Sequence, residues 1–123
     1  MWTNCKQINK ILIIKGGDKL IKVDYHLNIE VSHGDSGCLY FGSNPYVFEG
    51  GEEITFDVFI GDDVIFSKKS SIVDRGLLFL ELTKPEIESI PIGDFSYRVF
   101  AKYDNGSLSE YVINSKEFKV KEG

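Results

Sequence analysis

The stretch that decides the fold is LLFLELTKPEIESIPIGDFSYRVFAKYDNG, residues 77–106. It predicts a strand, one helical turn, a tight turn, a second strand and a hairpin turn. In the second strand every other side chain is apolar or aromatic, namely Phe95, Tyr97, Val99, Ala101 and Tyr103. Because successive side chains of a strand point to opposite faces, this set is expected to line a core while its neighbours meet water. Phe100 is the exception, since it is a large ring on the polar side.

The helical turn between these two strands has its own start signal. Thr83 is predicted to cap it, Pro85 lies just inside, and Glu86 follows Thr83 by three residues, which is the spacing of a capping box. We expect Ile87 and Ile90 to attach this turn to the edge of the folded layers.

The first half of the chain predicts strands separated by glycine-rich turns. An apolar run at 8–15 ends at Gly16–Gly17, and strict alternation from Ile21 to Val31 predicts one uninterrupted strand with Tyr25 on its apolar side. Residues 32–44, rich in glycine and small polar residues, are predicted to form a loop, and 46–48 a short edge strand.

The second half predicts one further hairpin and a closing strand. Residues 54–60 alternate, and the turn Gly61–Asp62–Asp63 leads into VIFSKKS. The closing strand 108–120 changes phase, so we expect a β-bulge near Asn114–Lys116. Together these signals predict an all-β fold: an immunoglobulin-like antiparallel β-sandwich of seven or eight strands, with one short helical turn near 84–90, in a single domain over 1–123. A small barrel is the alternative.

The composition argues against several classes of partner. The formal net charge is -5 and the pI about 5.0, so the domain has no general attraction for phosphate backbones and we expect no nucleic-acid binding. The apolar runs are too short for a membrane-spanning helix. The N-terminus lacks the apolar run of a signal peptide, so we expect either an intracellular protein or one that leaves the cell by assembly or lysis.

No motif predicts catalysis, a cofactor or a metal. The string His33–Gly37 resembles the segment around the nucleophile of trypsin-like proteases, but no distant base accompanies Ser36, so a glycine-rich loop is the better interpretation. His26 is expected to be an exposed strand residue, and Asp57, Asp62 and Asp63 lack a calcium-loop pattern. Asn105–Ser107 is interpreted as a turn and not as a glycosylation site. Cys5 and Cys38 are expected to be thiols.

Three phenylalanines fall on nominally outward positions of predicted strands: Phe59, Phe79 and Phe100. Each ring left in water would forgo roughly 1.5–3 kcal/mol of burial. They therefore either cover a second face of the domain or contact a partner chain.

The order of motifs along the chain resembles the N-terminal β-sandwich domain of phage baseplate upper proteins and related virion accessory proteins. The counterparts are Lys15–Asp18, Gly51–Val58, Gly76–Thr83, Pro85–Ser89, Pro91–Val99 and Asp104–Gly106. The match covers most of residues 11–120. The loop 32–44 is longer than the pattern expects, and residues 1–123 contain no counterpart of the family's stalk or receptor-binding module.

The resemblance implies a non-enzymatic structural protein of a bacteriophage or prophage virion, from the tail, the baseplate or a head accessory. It would be made in the cytoplasm of the bacterial host, bind other virion proteins and be able to form homo-oligomers. The family has no active-site residues to transfer. The alternative is a carbohydrate- or cell-surface-binding module with Trp2, Tyr40, Phe41 and Tyr46 on a loop platform.

Overall fold

A computed structural model describes residues 11–16, 21–43, 48, 50–74, 76–103 and 108–123. The described chain forms ten strands and one helix: β1 (Ile11–Gly16), β2 (Lys22–Val23), β3 (Ile29–Ser32), β4 (Gly37–Ser43), β5 (Glu53–Ile60), β6 (Asp63–Ser70), β7 (Ile72–Asp74), β8 (Leu77–Leu82), α1 (Lys84–Glu88), β9 (Gly93–Tyr103) and β10 (Leu108–Lys121).

The strands form two sheets. One has four strands in the order β1-β4-β8-β7, and the other has six in the order β2-β3-β10-β9-β5-β6. Among the strands that the structure describes, every pairing is antiparallel except that of β3 with β10, which is parallel. The predicted all-β sandwich is confirmed, but the described strands number ten where seven or eight were expected.

The core lies between the two sheets and follows the alternation of the strands. In β9, Tyr97, Val99 and Ala101 are fully buried as predicted, and β5 contributes Ile54, Phe56 and Val58. The four-stranded sheet contributes Leu39 and Phe41 from β4 and Leu78, Leu80 and Leu82 from β8. The rings of Phe56, Tyr97 and Phe118 meet at its centre, with centroids 5.2–6.3 Å apart.

The helix α1 begins as the sequence predicts. The Thr83 hydroxyl accepts a hydrogen bond from the Glu86 backbone N–H at 3.3 Å, and a Glu86 carboxylate oxygen accepts one from the Thr83 N–H at 2.8 Å. Ile87 and Ile90 are fully buried, so the turn is attached to the core. The predicted bulge in the closing strand is confirmed, because the β9–β10 register shifts between Ile113 and Lys116.

Two predictions about the first half of the chain are wrong. The alternating stretch from Ile21 to Val31 is two strands and not one, because a turn separates β2 from β3 and leaves Tyr25 94% exposed. The predicted loop at 32–44 contains β4, an inner strand that pairs with β1 on one side and β8 on the other. In the predicted edge strand 46–48, Phe48 is not in a strand, and residues 46 and 47 lie outside the described residues.

Candidate protein-docking face

The outer face of the six-stranded sheet carries two of the three predicted contact residues. Side chains in β5 and β9 alternate between buried and partly exposed positions. Asp57, Phe59, Arg98 and Phe100 occupy partly exposed positions, so they all point away from the core. The register places Asp57 opposite Arg98 and Phe59 opposite Ser96. These four side chains therefore share one patch of outer surface.

Arg98 lies at the centre of this patch. Its guanidinium carbon lies 4.9 Å from the ring centroid of Phe59 and 5.5 Å from that of Tyr111. Its Nε donates to a carboxylate oxygen of Asp57 at 3.2 Å, and the Ser67 hydroxyl donates to the other oxygen at 2.6 Å. Arginine suits this position because its planar group binds a carboxylate and lies over aromatic rings at the same time.

Tyr111 extends the patch onto β10. It stands directly opposite Phe100 in the β9–β10 register, and the two rings meet edge to face with centroids 4.9 Å apart. Such pairs are favourable because the positive edge of one ring meets the negative face of the other. Phe59, Arg98, Phe100 and Tyr111 form what we call the aromatic–arginine cluster.

Exposed aliphatic side chains continue the cluster toward the β5–β6 hairpin. Val64 stands opposite Phe59 in the strand register. Val64 and Ile65 are 44% and 37% exposed, and Tyr111 is 47% exposed. Ile60 is 53% exposed, but it alternates with Phe59 and therefore points to the other side of β5. Apolar groups that adjoin one another on a surface, unlike scattered ones, are typical of a contact with another protein.

The prediction that Phe59, Phe79 and Phe100 lie on outward positions holds, but they do not form one patch. Phe79 lies on the outer face of the four-stranded sheet, where its ring meets Tyr40 with centroids 5.2 Å apart. Ile72, opposite Phe79 in β7, is 59% exposed. The structure thus adds Arg98 and Tyr111 to Phe59 and Phe100 and places Phe79 on the opposite side of the sandwich.

The free edge beside the cluster is blocked. Lys68 points inward from β6, and its ammonium donates to the Glu81 carbonyl at 2.5 Å and to Glu86 at 2.8 Å. Ile65 is the extra residue where the β5–β6 register shifts. Inward-facing lysine and a bulge both oppose the addition of another strand, so the outer face and not this edge is the candidate contact surface.

The residues that suggested other chemistry have structural contacts. A His33 ring nitrogen lies 2.7 Å from the Ile90 carbonyl, and Asp35 accepts a hydrogen bond from the Ser32 N–H at 2.7 Å, so each fixes a turn. Asp57 forms an ion pair with Arg98. Within the described ranges, no group of three or more His, Cys, Asp or Glu side chains converges as metal ligands. The same ranges contain no helix long and apolar enough to cross a membrane.

The predicted sugar platform is not assembled as expected. Phe41 is fully buried, and Tyr40 packs against Phe79 on a strand and not on a loop. Trp2 and Tyr46 lie outside the described residues, as do Cys5 and the turn at Asn105.

No model of a known protein family matches the sequence, and no curated protein matches it. Among solved structures, the chain is similar to a crystal structure described as an engineered protein of the Northeast Structural Genomics Consortium, at 9% sequence identity and a TM-score of 0.49. The similarity covers 93% of this chain and 21% of that one, so the chain spans about a fifth of its length. The resemblance to phage baseplate upper proteins stays a prediction.

Proposed function

We propose that this chain is a non-enzymatic protein-docking domain of a bacteriophage or prophage virion, in the tail, the baseplate or a head accessory. The observation that carries the docking role is the aromatic–arginine cluster beside the exposed aliphatic residues of the β5–β6 hairpin. The motif order of the sequence supports the virion setting, and the partners would be other virion proteins. The protein would be made in the host cytoplasm and assembled into the particle.

The cluster suits docking because it is already ordered before a partner arrives. Arg98 is held by Asp57 and by two rings, and Tyr111 is held by Phe100. Tyrosine and arginine are the side chains that most often dominate binding energy at the centre of interfaces. Little side-chain freedom remains to be lost on binding, which favours affinity.

Genes that neighbour the coding gene supply the candidate partners for a direct test. Each encoded tail, baseplate or head protein is purified, and its dissociation constant for the chain is measured by calorimetry. We expect one partner to bind, and we expect Tyr111→Ala to weaken that binding by about tenfold or more, because truncation of a central aromatic anchor commonly costs more than 1.4 kcal/mol.

Two further variants separate docking from folding. Val64→Asp places a charge opposite Phe59 on the outer face, outside the core, and should also weaken binding. Ile72→Ala, on the opposite sheet, should leave the dissociation constant unchanged. Binding that is lost with Ile72→Ala but kept with Tyr111→Ala and Val64→Asp would refute the assigned surface. A gene far from any capsid or tail gene would refute the virion setting.

A further inference from the structure

A groove lies at the opposite end of the same sheet, away from the aromatic–arginine cluster. It has a volume of about 320 Å³, and its polar walls are formed by Lys22, Asp24, Asn28, Glu30, Glu117 and Lys119. Lys22 in β2 stands opposite Glu30 in β3, and Glu30 stands opposite Lys119 in β10. The three side chains therefore form a row of positive, negative and positive charge across the three strands. Nothing in the docking proposal uses these residues.

The turn Asp24–Asn28, which joins β2 to β3, forms one wall of the groove and is firmly held. One oxygen of Asp24 accepts from the backbone N–H groups of His26 at 2.8 Å and Asn28 at 2.9 Å. The backbone hydrogen bond from Asn28 is the main cause of the lowered pKa of Asp24, so this carboxylate is charged at neutral pH. The Asn28 side-chain oxygen accepts from the Glu117 N–H at 3.0 Å, which joins the turn to β10.

A buried tyrosine fixes the middle of the turn. Leu27 has a φ of 69°, a left-handed conformation that is costly for leucine. Its carbonyl accepts a hydrogen bond from the hydroxyl of the buried Tyr97 at 2.6 Å. The hydrogen bond from Tyr97 therefore helps to hold Leu27 in an unfavourable backbone conformation, which keeps the turn in one shape.

The fixed turn displays an aromatic ring to solvent. Tyr25 is 94% exposed, and its ring meets that of His26 edge to face with centroids 5.2 Å apart. Tyr25 directly follows Asp24, which lines the groove. Because hydrogen bonds already fix the turn, its backbone loses little conformational entropy when a ligand stacks on the exposed ring.

The chemistry of the groove selects the class of ligand. Its two ammonium groups and three carboxylates disfavour a phosphate or another anion, and its charged lining disfavours an apolar molecule. Its carboxylates do not converge as metal ligands within the described part of the chain. A sugar fits, because each hydroxyl both donates to a carboxylate and accepts from an ammonium group, while its apolar ring face can stack on tyrosine.

We infer that the groove and the Asp24–Asn28 turn form a binding site for a neutral sugar, with Tyr25 as the stacking platform and with Glu30, Glu117 and Lys119 among the groups that bind its hydroxyls. This site is independent of the docking face. It differs from the platform expected from the sequence, since Tyr25 was assigned to the apolar side of a strand.

The test is an NMR titration of the ¹⁵N-labelled full chain with glucose, galactose, mannose and N-acetylglucosamine, each added separately. At least one sugar should shift the amide signals of residues 22–30 and 117–119, with a dissociation constant in the millimolar range that is typical of an open groove. Tyr25→Ala should weaken this binding by about tenfold, and Tyr25→Phe should preserve it, because stacking needs the ring and not the hydroxyl.

Two controls make the result decisive. Tyr111→Ala removes an exposed ring from the docking face and should leave the sugar titration unchanged, so failure of one proposal is distinguishable from failure of the other. The inference is overturned if none of the four sugars shifts these amides, if the shifts persist in Tyr25→Ala, or if inorganic phosphate or calcium shifts the same amides more strongly than any sugar does.

Discussion

At the scale of single residues, Arg98 shows how a charge in a strand can organise a surface. By sequence alone it is one more polar residue on the outward side of β9, and nothing in its local pattern distinguishes it from Lys102. Its role comes from three neighbours that belong to other strands, Asp57, Phe59 and Tyr111. The outward positions of Phe59 and Phe100 were predictable from alternation, but the contacts that join them through Arg98 were not.

Tyr97 is the residue that connects the core to the ligand-binding turn. Tyr97→Phe keeps the ring and removes the hydrogen bond to the Leu27 carbonyl. We expect the free energy of unfolding to fall by about 1 kcal/mol, since the partly buried Leu27 carbonyl loses its partner. Urea denaturation measures this loss, and faster amide exchange within residues 24–28 should accompany it. Tyr111→Phe, which removes a hydroxyl from a 47% exposed surface residue, is the matched control and should change stability little.

The same tyrosine predicts a loss of stability in alkali. Burial raises the pKa of Tyr97 above its ordinary value of 10.0, and the charge of Asp24 adds to this effect. The stability that the Tyr97 hydroxyl contributes is therefore complete below pH 10 and falls as the pH rises above it. The reason is that the unfolded chain loses the hydroxyl proton more readily than the folded chain does. Tyr97→Phe should flatten this alkaline decline, and an unchanged decline in the variant would contradict the assignment.

At the scale of elements, α1 and the β6 edge are held by one carboxylate. Partial burial acts to raise the pKa of Glu86, but hydrogen bonds from the Lys68 ammonium and from the Thr83 backbone and hydroxyl outweigh it, so the pKa lies below its ordinary value of 4.5. The stability that Glu86 contributes is thus present above pH 4.5 and is lost as the pH falls through the lowered value of the folded state.

Glu86→Gln tests this arrangement. Glutamine can still cap the helix but cannot form the ion pair with Lys68. We expect the variant to be less stable than the native chain at pH 7, and we expect the difference to shrink as the pH falls below 4.5. Thermal unfolding followed by circular dichroism across this range measures it. Glu88→Gln, an exposed residue of the same helix, is the matched control, and an equal pH response in both variants would contradict the role of Glu86.

The elements that could be predicted are specified by local sequence signals, whereas the elements that were missed depend on contacts with other parts of the chain. The capping box of α1, the β5–β6 hairpin and the bulge in β10 are local signals, and all three were predictable. The turn between β2 and β3 was hidden by perfect alternation, since Asp24 and Asn28 fit a strand pattern and also hold a turn. The strand β4 was missed because its glycines suggest a loop, while its two neighbours in the sheet decide that it is a strand.

At the scale of the whole molecule, the two binding surfaces depend on contacts between distant parts of the chain. The parallel pairing of β10 with β3 brings Glu117 and Lys119 to the turn at Asp24–Asn28. The antiparallel pairing of β10 with β9 brings Tyr111 to Phe100. One long strand therefore contributes to both surfaces, and the bulge at its centre sets which side chains face outward on each side of it.

We propose that the outer face of the six-stranded sheet binds a protein partner through the aromatic–arginine cluster. The most direct measurement is cross-saturation NMR of the labelled chain in complex with the virion protein found by the gene-neighbour screen. We expect irradiation of the partner to reduce the signals of residues 59–65, Arg98, Phe100 and Tyr111. The signals of Tyr40, Ile72 and Phe79 should stay unchanged. Loss of signal at Tyr40, Ile72 and Phe79, with the cluster unaffected, would contradict it.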